Sequence, residues 1–303
     1  MGRLVDRWFG YLVLLALAAV MAGGFLAQAA GDDTLHGAGA TFPAPLYARW
    51  IALFERETGT AVSYDAIGSG GGIDAILTRD VAFGASDALL TDDDRAEADD
   101  YIYELPMVLG PVVVVYNLPD LDERLVLDGE TLVGIYLGEI TRWDDPAISA
   151  TNAGRRLPDL AIHVTHRADS SGTTGIFTDY LSAVSETWAD SFGSGKTVDW
   201  PVSGGSGLGN DGIAQQVLVQ PGGIGYVEAS YAELSGLEYA ALINKDGAIV
   251  LPSVASVQAA ERNTPSLPGT DRKPSIVNAG GSESYPIAGF TYVLVYRDLS
   301  YLS

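Results

Sequence analysis

The stretch His166 to Phe177 reads H-R-A-D-S-S-G-T-T-G-I-F and predicts a strand-to-helix turn that can hold an oxyanion. A strand-like run, 161–165, precedes it, and 178–181 continues it with helical character. At such a turn the first helical N–H groups lack intrahelical acceptors and the helix dipole is positive, so an anion can bind there. The stretch therefore indicates an α/β unit whose turn faces a ligand.

Side chains within this turn strengthen the prediction. Ser171 and Thr173 can add hydroxyl donors, and Gly172 lets a ligand approach the backbone. Arg167 carries a planar fork that suits tetrahedral oxyanions, and Asp169 lies close enough in sequence to orient it. The alternative is an ordinary Ser/Thr cap beside a surface arginine, and this segment alone does not separate the two.

Composition limits the class of protein. The chain has 303 residues, 47% hydrophobic, with 36 glycines and 14 prolines, which predicts one large or two medium α/β domains. The formal charge of −22 argues against a nucleic-acid partner and against anionic membrane surfaces. The absence of cysteine excludes disulfides, thiolate metal sites and a cysteine nucleophile.

Residues 1–29 read as a secretory signal peptide. Arg3 and Arg7 precede the apolar run Phe9 to Met21, and Ala27-Gln28-Ala29 supplies a cleavage site. An uncleaved anchor is the alternative, but the run is shorter than the roughly 20 residues that span a bilayer. A cysteine-free, exported chain is typical of a bacterial periplasm.

Three further turns carry small and polar residues. The motif G-A-G-A-T-F-P-A-P (37–45) runs from a strand into a proline-started helix, and I-G-S-G-G-G (67–72) follows the strand-like run 61–67. F-G-A-S-D-A (83–88) ends a third strand at Asp87. These turns can converge on one crevice, although the local sequence alone favours Asp87 as the cap of an acidic helix.

Other motifs fail as catalytic or nucleotide sites. The G-S-G-K-T run at 193–197 lacks the first glycine of a P-loop and reads as a loop. No serine lies in a G-x-S-x-G elbow, and the three histidines, His36, His163 and His166, lack metal-ligand spacing. The sequence therefore predicts no catalytic residue, no metal site and no cofactor.

In these turns the chain resembles the periplasmic phosphate-binding proteins that supply the phosphate ABC transporter. The likeness also includes R-A-D-S-S-G-T (167–173), W-D-D-P-A-I (143–148) and G-N-D-G-I-A (209–214), and it extends from about residue 35 to 298. The resemblance implies a phosphate site, with Asp169 pairing Arg167. Its shell would be Thr41, Phe42, Ser69, Asp87, Arg167, Ser171, Gly172 and Thr173.

The same resemblance implies a two-lobed α/β fold that closes on its ligand. We expect residues 30–110 to begin lobe 1, 111–285 to form lobe 2, and 286–303 to return to lobe 1. The implied function is non-enzymatic: a monomer that binds inorganic phosphate and delivers it to a membrane permease. The alternatives are a secreted phosphatase like the DING-type proteins, using the same site, and a surface-adhesion role for the acidic exterior.

Family members continue past the strand 289–296 with further helices, whereas this chain stops at Ser303. We therefore expect apolar surface to be exposed around Tyr292, Leu294 and Tyr296.

Overall fold

The computed structural model describes residues 34–267 and 275–302, so the signal peptide predicted for residues 1–29 lies outside the described residues. The strands are β1 Leu35–Gly39, β2 Val62–Ala66, β3 Phe83–Ser86, β4 Ile102–Tyr116, β5 Val126–Leu127, β6 His163–Arg167, β7 Gly205–Gly207, β8 Gly223–Glu228, β9 Glu238–Tyr239, β10 Ala241–Ile243, β11 Ile249–Val250 and β12 Ala288–Tyr296. The helices are α1 Ala44–Thr58, α2 Ser69–Leu77, α3 Asp92–Glu97, α4 Gly129–Leu137, α5 Pro146–Thr151, α6 Gly172–Val184, α7 Glu186–Ser191, α8 Gly209–Val219, α9 Ala229–Ser235 and α10 Val254–Asn263, followed by a 3-10 turn, Ser300–Leu302.

One mixed sheet runs through both lobes in the order β2-β1-β3-β12-β4-β8-β6-β7, with β9 also paired to β4. The first lobe has parallel pairs β1/β2 and β1/β3, and the second has parallel pairs β6/β7 and β6/β8. The strand β12 is antiparallel to both of its neighbours, β3 and β4. A separate three-stranded sheet has the order β11-β10-β5.

The long strand β4 joins the lobes. Its residues 102–111 pair with β12, and its residues 112–116 pair with β8. At the crossing point Val112 N–H donates to Ile287 O at 2.8 Å, so the outgoing and returning chains are bonded to each other there. The run 104–111, followed by the apolar residues 112–116, predicts a strand that crosses into the second lobe, and the structure begins that strand slightly earlier, at Ile102.

The second glycine-rich turn corrects one predicted boundary. We expected the helix to begin at Ile73, but α2 begins at Ser69 and includes the glycines in its first turn. A Cβ on Gly72 would lie 2.5 Å from Ala85 O, so the helix can rest on the strands only because that side chain is missing. The strand before the 166–177 turn is likewise shifted: we expected it at 161–165, and it lies at His163–Arg167.

The predicted apolar exposure at the C-terminal strand is wrong. Leu294 and Tyr296 are 0% and 1% exposed, and they pack with Ile73 and Ile76 of α2. Tyr301 packs edge-on against Tyr296 at 5.9 Å between ring centroids. The strand lies inside the sheet and packs against α2, which accounts for the burial of these side chains. Within the described ranges, no helix combines the length and the apolar character needed to cross a bilayer.

Candidate anion-binding site

Four turns bring the predicted residues to one crevice between the lobes. In each lobe the parallel strands end at this edge of the sheet, which is where ligands bind in open α/β sheets. From the first lobe come Thr41 and Phe42 after β1, Ser69 at the start of α2, and Asp87 after β3; from the second come Arg167 at the end of β6, and Ser171, Gly172 and Thr173 at the start of α6. All eight are buried.

The two lobes are in direct contact across the crevice. Gly70 N–H donates to Ser170 O at 3.0 Å. A Cβ on Gly172 would lie 2.4 Å from Ser69 Oγ and 2.5 Å from Asp87 Cβ, so a larger residue cannot occupy that position at this separation. The glycine thus sets how closely the first turn of α6 approaches the opposite lobe.

Arg167 is oriented by Asp169 and has donor capacity left over. Its Nε donates to Asp169 Oδ1 at 2.7 Å, and its Nη2 pairs with Oδ2. The Arg167 side chain is 1% exposed, and its Nη1 has no hydrogen-bond partner among the residues that the structure describes. Partial burial acts to raise the pKa of Asp169, but the hydrogen bond and charge of Arg167 lower it. Asp169 therefore stays ionised, and the Nη1 NH₂ group of Arg167 remains available to an anion.

Asp87 is a buried carboxylate in the same crevice. Its Oδ1 accepts from Thr291 Oγ at 2.7 Å, and its Oδ2 lies 3.4 Å from Ser69 Oγ. Burial raises the pKa of Asp87 to about 7, against the opposing hydrogen bond from Thr291, the charge of Arg167 and the hydrogen bond from Ser69. A group with this pKa can accept or donate a proton near neutral pH.

Helix starts supply the remaining donors. Ser171 caps α6 by accepting from Thr174 N at 3.1 Å, so the earlier N–H groups of that turn, Gly172 and Thr173, lack intrahelical acceptors. Ser69 is the first residue of α2, and the cap before it, Gly68, has no side chain to accept a hydrogen bond. Phe42 packs its ring into the core and is 2% exposed, so it can serve an anion only through its backbone.

Two buried residues were missed as site residues. Asn210 donates from Nδ2 to Thr41 Oγ at 2.7 Å and to Thr173 Oγ at 3.3 Å. Thr291 holds Asp87. The G-N-D-G-I-A motif pointed to Asn210 without giving it a role, and the only sequence signal for Thr291 is a polar residue within an apolar strand.

Within residues 34–267 and 275–302, no three His, Asp or Glu side chains lie close enough together to hold a metal ion. His36 pairs with Ser63, and His166 stacks on Trp200 at 5.1 Å between ring centroids. The 193–197 run is a loop, as expected.

Comparisons with known proteins agree with this geometry. The profile of a family described as a PBP superfamily domain matches residues 27–302. A phosphate-binding protein PstS from Pasteurella multocida is 42% identical over 268 residues, covering 88% of this chain and 76% of the relative. The PstS protein of Haemophilus influenzae is 40% identical, covering 88% and 79%. A solved phosphate-bound structure, the high-affinity periplasmic phosphate-binding protein PfluDING, is 25% identical with a TM-score of 0.66, covering 87% of this chain and 80% of that one.

Proposed function

Because the chain belongs to the PstS family of phosphate-binding proteins, we propose that it binds inorganic phosphate between its lobes and delivers it to the permease of an ABC transporter. Binding and lobe closure constitute the whole mechanism, and the protein acts as a monomer without enzymatic turnover. The predicted signal peptide and the periplasmic relative PfluDING support a periplasmic location.

One observation carries the proposal: the guanidinium of Arg167 is buried, and its Nη1 NH₂ group has no partner among the described residues. Arg167 is held by Asp169 and directs Nη1 away from that partner. A buried, unpaired guanidinium nitrogen is costly, and an anion beside it relieves that cost. The donors at the start of α6 lie only a few residues further along the chain.

Phosphate can be held here without a positive lobe. Each hydrogen bond to a charged group contributes roughly 1.5–3 kcal/mol, and several act together. We propose that Thr41, Phe42 and Ser69 donate from the first lobe, and that Arg167 and the turn 171–173 donate from the second. The formal charge of −22 then does not prevent binding, because the donors next to the anion stabilise it more than the distant charges repel it.

Asp87 accepts, in this proposal, the proton that phosphate still carries near neutral pH. Sulfate lacks that proton, so its oxygens would face a carboxylate with no hydrogen between them. A site built around one specific hydrogen bond can reject an analogue without the partner by about 10⁴- to 10⁵-fold.

The lobe limits follow from the chain crossings. We propose that lobe 1 comprises residues 30–110 and 286–303, and that lobe 2 comprises 111–285. The hydrogen bond between Val112 and Ile287 supports a hinge at these points, since both connections pass there side by side.

The test is equilibrium binding of labelled phosphate to the purified protein, run beside a phosphomonoester hydrolysis assay with added divalent metals. Stoichiometric binding without turnover is expected. Arg167→Ala should weaken binding by at least about tenfold, since charged hydrogen bonds are lost. The exposed Arg56→Ala serves as the matched control. Metal-stimulated hydrolysis that Arg167→Ala abolishes would instead support the phosphatase.

A further inference from the structure

The amide of Asn210 connects two hydroxyl groups of the proposed phosphate shell. It is 0% exposed and lies in the first turn of α8. Its Nδ2 donates to Thr41 Oγ at 2.7 Å, across the crevice, and to Thr173 Oγ at 3.3 Å in its own lobe. One side chain therefore contacts a donor from each lobe.

The orientation of this amide is set by a backbone group. Asn210 Oδ1 accepts from Glu228 N–H at 2.9 Å. Reversing the amide would place its NH₂ group against that N–H and its oxygen against the two hydroxyls. Nδ2 must therefore face Thr41 and Thr173, and both of its hydrogens are used.

The hydroxyl of Thr41 can act only as a donor toward a further partner. It accepts from Asn210 Nδ2 and also from Asn210 N–H at 3.3 Å, which uses both of its lone pairs. Thr173 Oγ also accepts from Nδ2. Neither hydroxyl donates to another described residue, so the proton of each remains for the ligand.

Glycines allow α8 to begin this close to the site. Gly209 has φ +66°, a left-handed conformation that favours glycine, and its N–H donates to Asp169 Oδ1 at 3.1 Å. A Cβ on Gly207 would lie 2.4 Å from the Gly212 carbonyl carbon. The same turn thus contacts the partner of Arg167 and places Asn210 behind the two threonines.

We propose that Asn210 is a positioning residue for phosphate binding: it makes the Thr41 hydroxyl an obligatory donor, orients the Thr173 hydroxyl with its proton free, and ties the two lobes together when both are in place. This inference rests on the proposed function. Asn210 acts through the hydroxyls and does not itself contact the anion. Removing the Asn210 amide should therefore weaken phosphate binding only while those two hydroxyls are present.

A double-mutant cycle tests this dependence. Asn210→Ala should weaken binding of labelled phosphate by about 10- to 100-fold, since each hydroxyl donates to a charged ligand. In the Thr41→Val/Thr173→Val background the same change should cost less than about threefold. If Asn210→Ala does not fold, Asn210→Leu, which keeps the volume and adds no charge, replaces it in the same cycle.

The control is Asn152→Ala, a buried asparagine that bonds to the backbone of Val126 and Ile148 in the second lobe. It should lower the midpoint of thermal unfolding without changing phosphate affinity. An equal cost of Asn210→Ala in both backgrounds would overturn the inference and leave Asn210 a structural residue. No binding by the unmodified protein would overturn the proposed function instead, and this inference with it.

Discussion

Lowering the pH should open the site to sulfate, because Asp87, the carboxylate that we propose rejects sulfate, has a pKa near neutrality. Burial raises the pKa of Asp87 to about 7, against the hydrogen bond from Thr291, the charge of Arg167 and the hydrogen bond from Ser69. The ionised carboxylate repels a fully ionised sulfate. Once protonated, the same group has an O–H to donate to a sulfate oxygen.

The size of the effect follows from the fraction of Asp87 that is protonated. With a pKa of about 7, roughly a tenth carries the proton at pH 8 and nine tenths at pH 6. Sulfate affinity should therefore rise about tenfold over that interval and level off below it. Phosphate affinity should change much less, because phosphate can supply or receive the shared proton itself.

The assay is displacement of labelled phosphate by sulfate at constant ionic strength, at pH values from 5.5 to 8. In Asp87→Asn the amide can donate at every pH, so sulfate should compete throughout and without pH dependence. Asp74→Asn, on the exposed face of α2, is the matched control and should behave like the unmodified protein. If sulfate competes equally at all pH values with both the unmodified protein and Asp87→Asn, Asp87 is not the selectivity residue.

Three other changes test separate parts of the structure. Arg167→Ala should lose more phosphate affinity by calorimetry than Arg167→Lys, since lysine keeps the charge but not the fork, and equal losses would place Arg167 outside the shell. Burial raises the pKa of Glu228 to about 7, so between that value and its unfolded pKa near 4.5 the folded state holds the extra proton and the free energy of unfolding falls as pH rises. Glu228→Gln should flatten that slope in urea unfolding, and an unchanged slope would exclude Glu228 as its source. Leu294→Ala should lower the free energy of unfolding by about 2–5 kcal/mol, whereas Leu234→Ala, 74% exposed, should change it by less than about 0.5 kcal/mol; comparable losses would contradict the core assignment.

Local signals in the sequence predicted the strand-to-helix turns well. The run 223–228 predicts a strand, and β8 has the same bounds; Gly59 predicts a helix end, and it ends α1 in the left-handed conformation. The turn 166–177 could be predicted as a candidate anion site because its hydroxyls, its glycine and Arg167 lie within one short segment. Such features depend on neighbours a few residues apart, which a sequence displays directly.

The supporting residues were not predictable, because they act over long distances in the chain. Asn210 contacts Thr41 from 169 residues away, and Thr291 contacts Asp87 from 204 residues away. The start of α2 was predicted too late for a related reason. The glycines after Gly68 are typical of a loop in the sequence, and their packing against β1 and β3 becomes visible only in the structure. The burial of Leu294 depends likewise on where β12 lies in the sheet.

The strand β12 comes late in the chain but lies between β3 and β4 in the sheet, so the sheet cannot be completed until most of the chain has been made. Until β12 is available, β3 and β4 each present an unpaired edge, which is the kind of surface that recruits other strands. Thr291 comes from that strand, so Asp87 also lacks its partner until then. During synthesis the first lobe therefore stays incomplete and prone to aggregation until the 204 positions from Asp87 to Thr291, most of them in the second lobe, have been made. Phosphate binding should consequently appear as one of the last events in refolding.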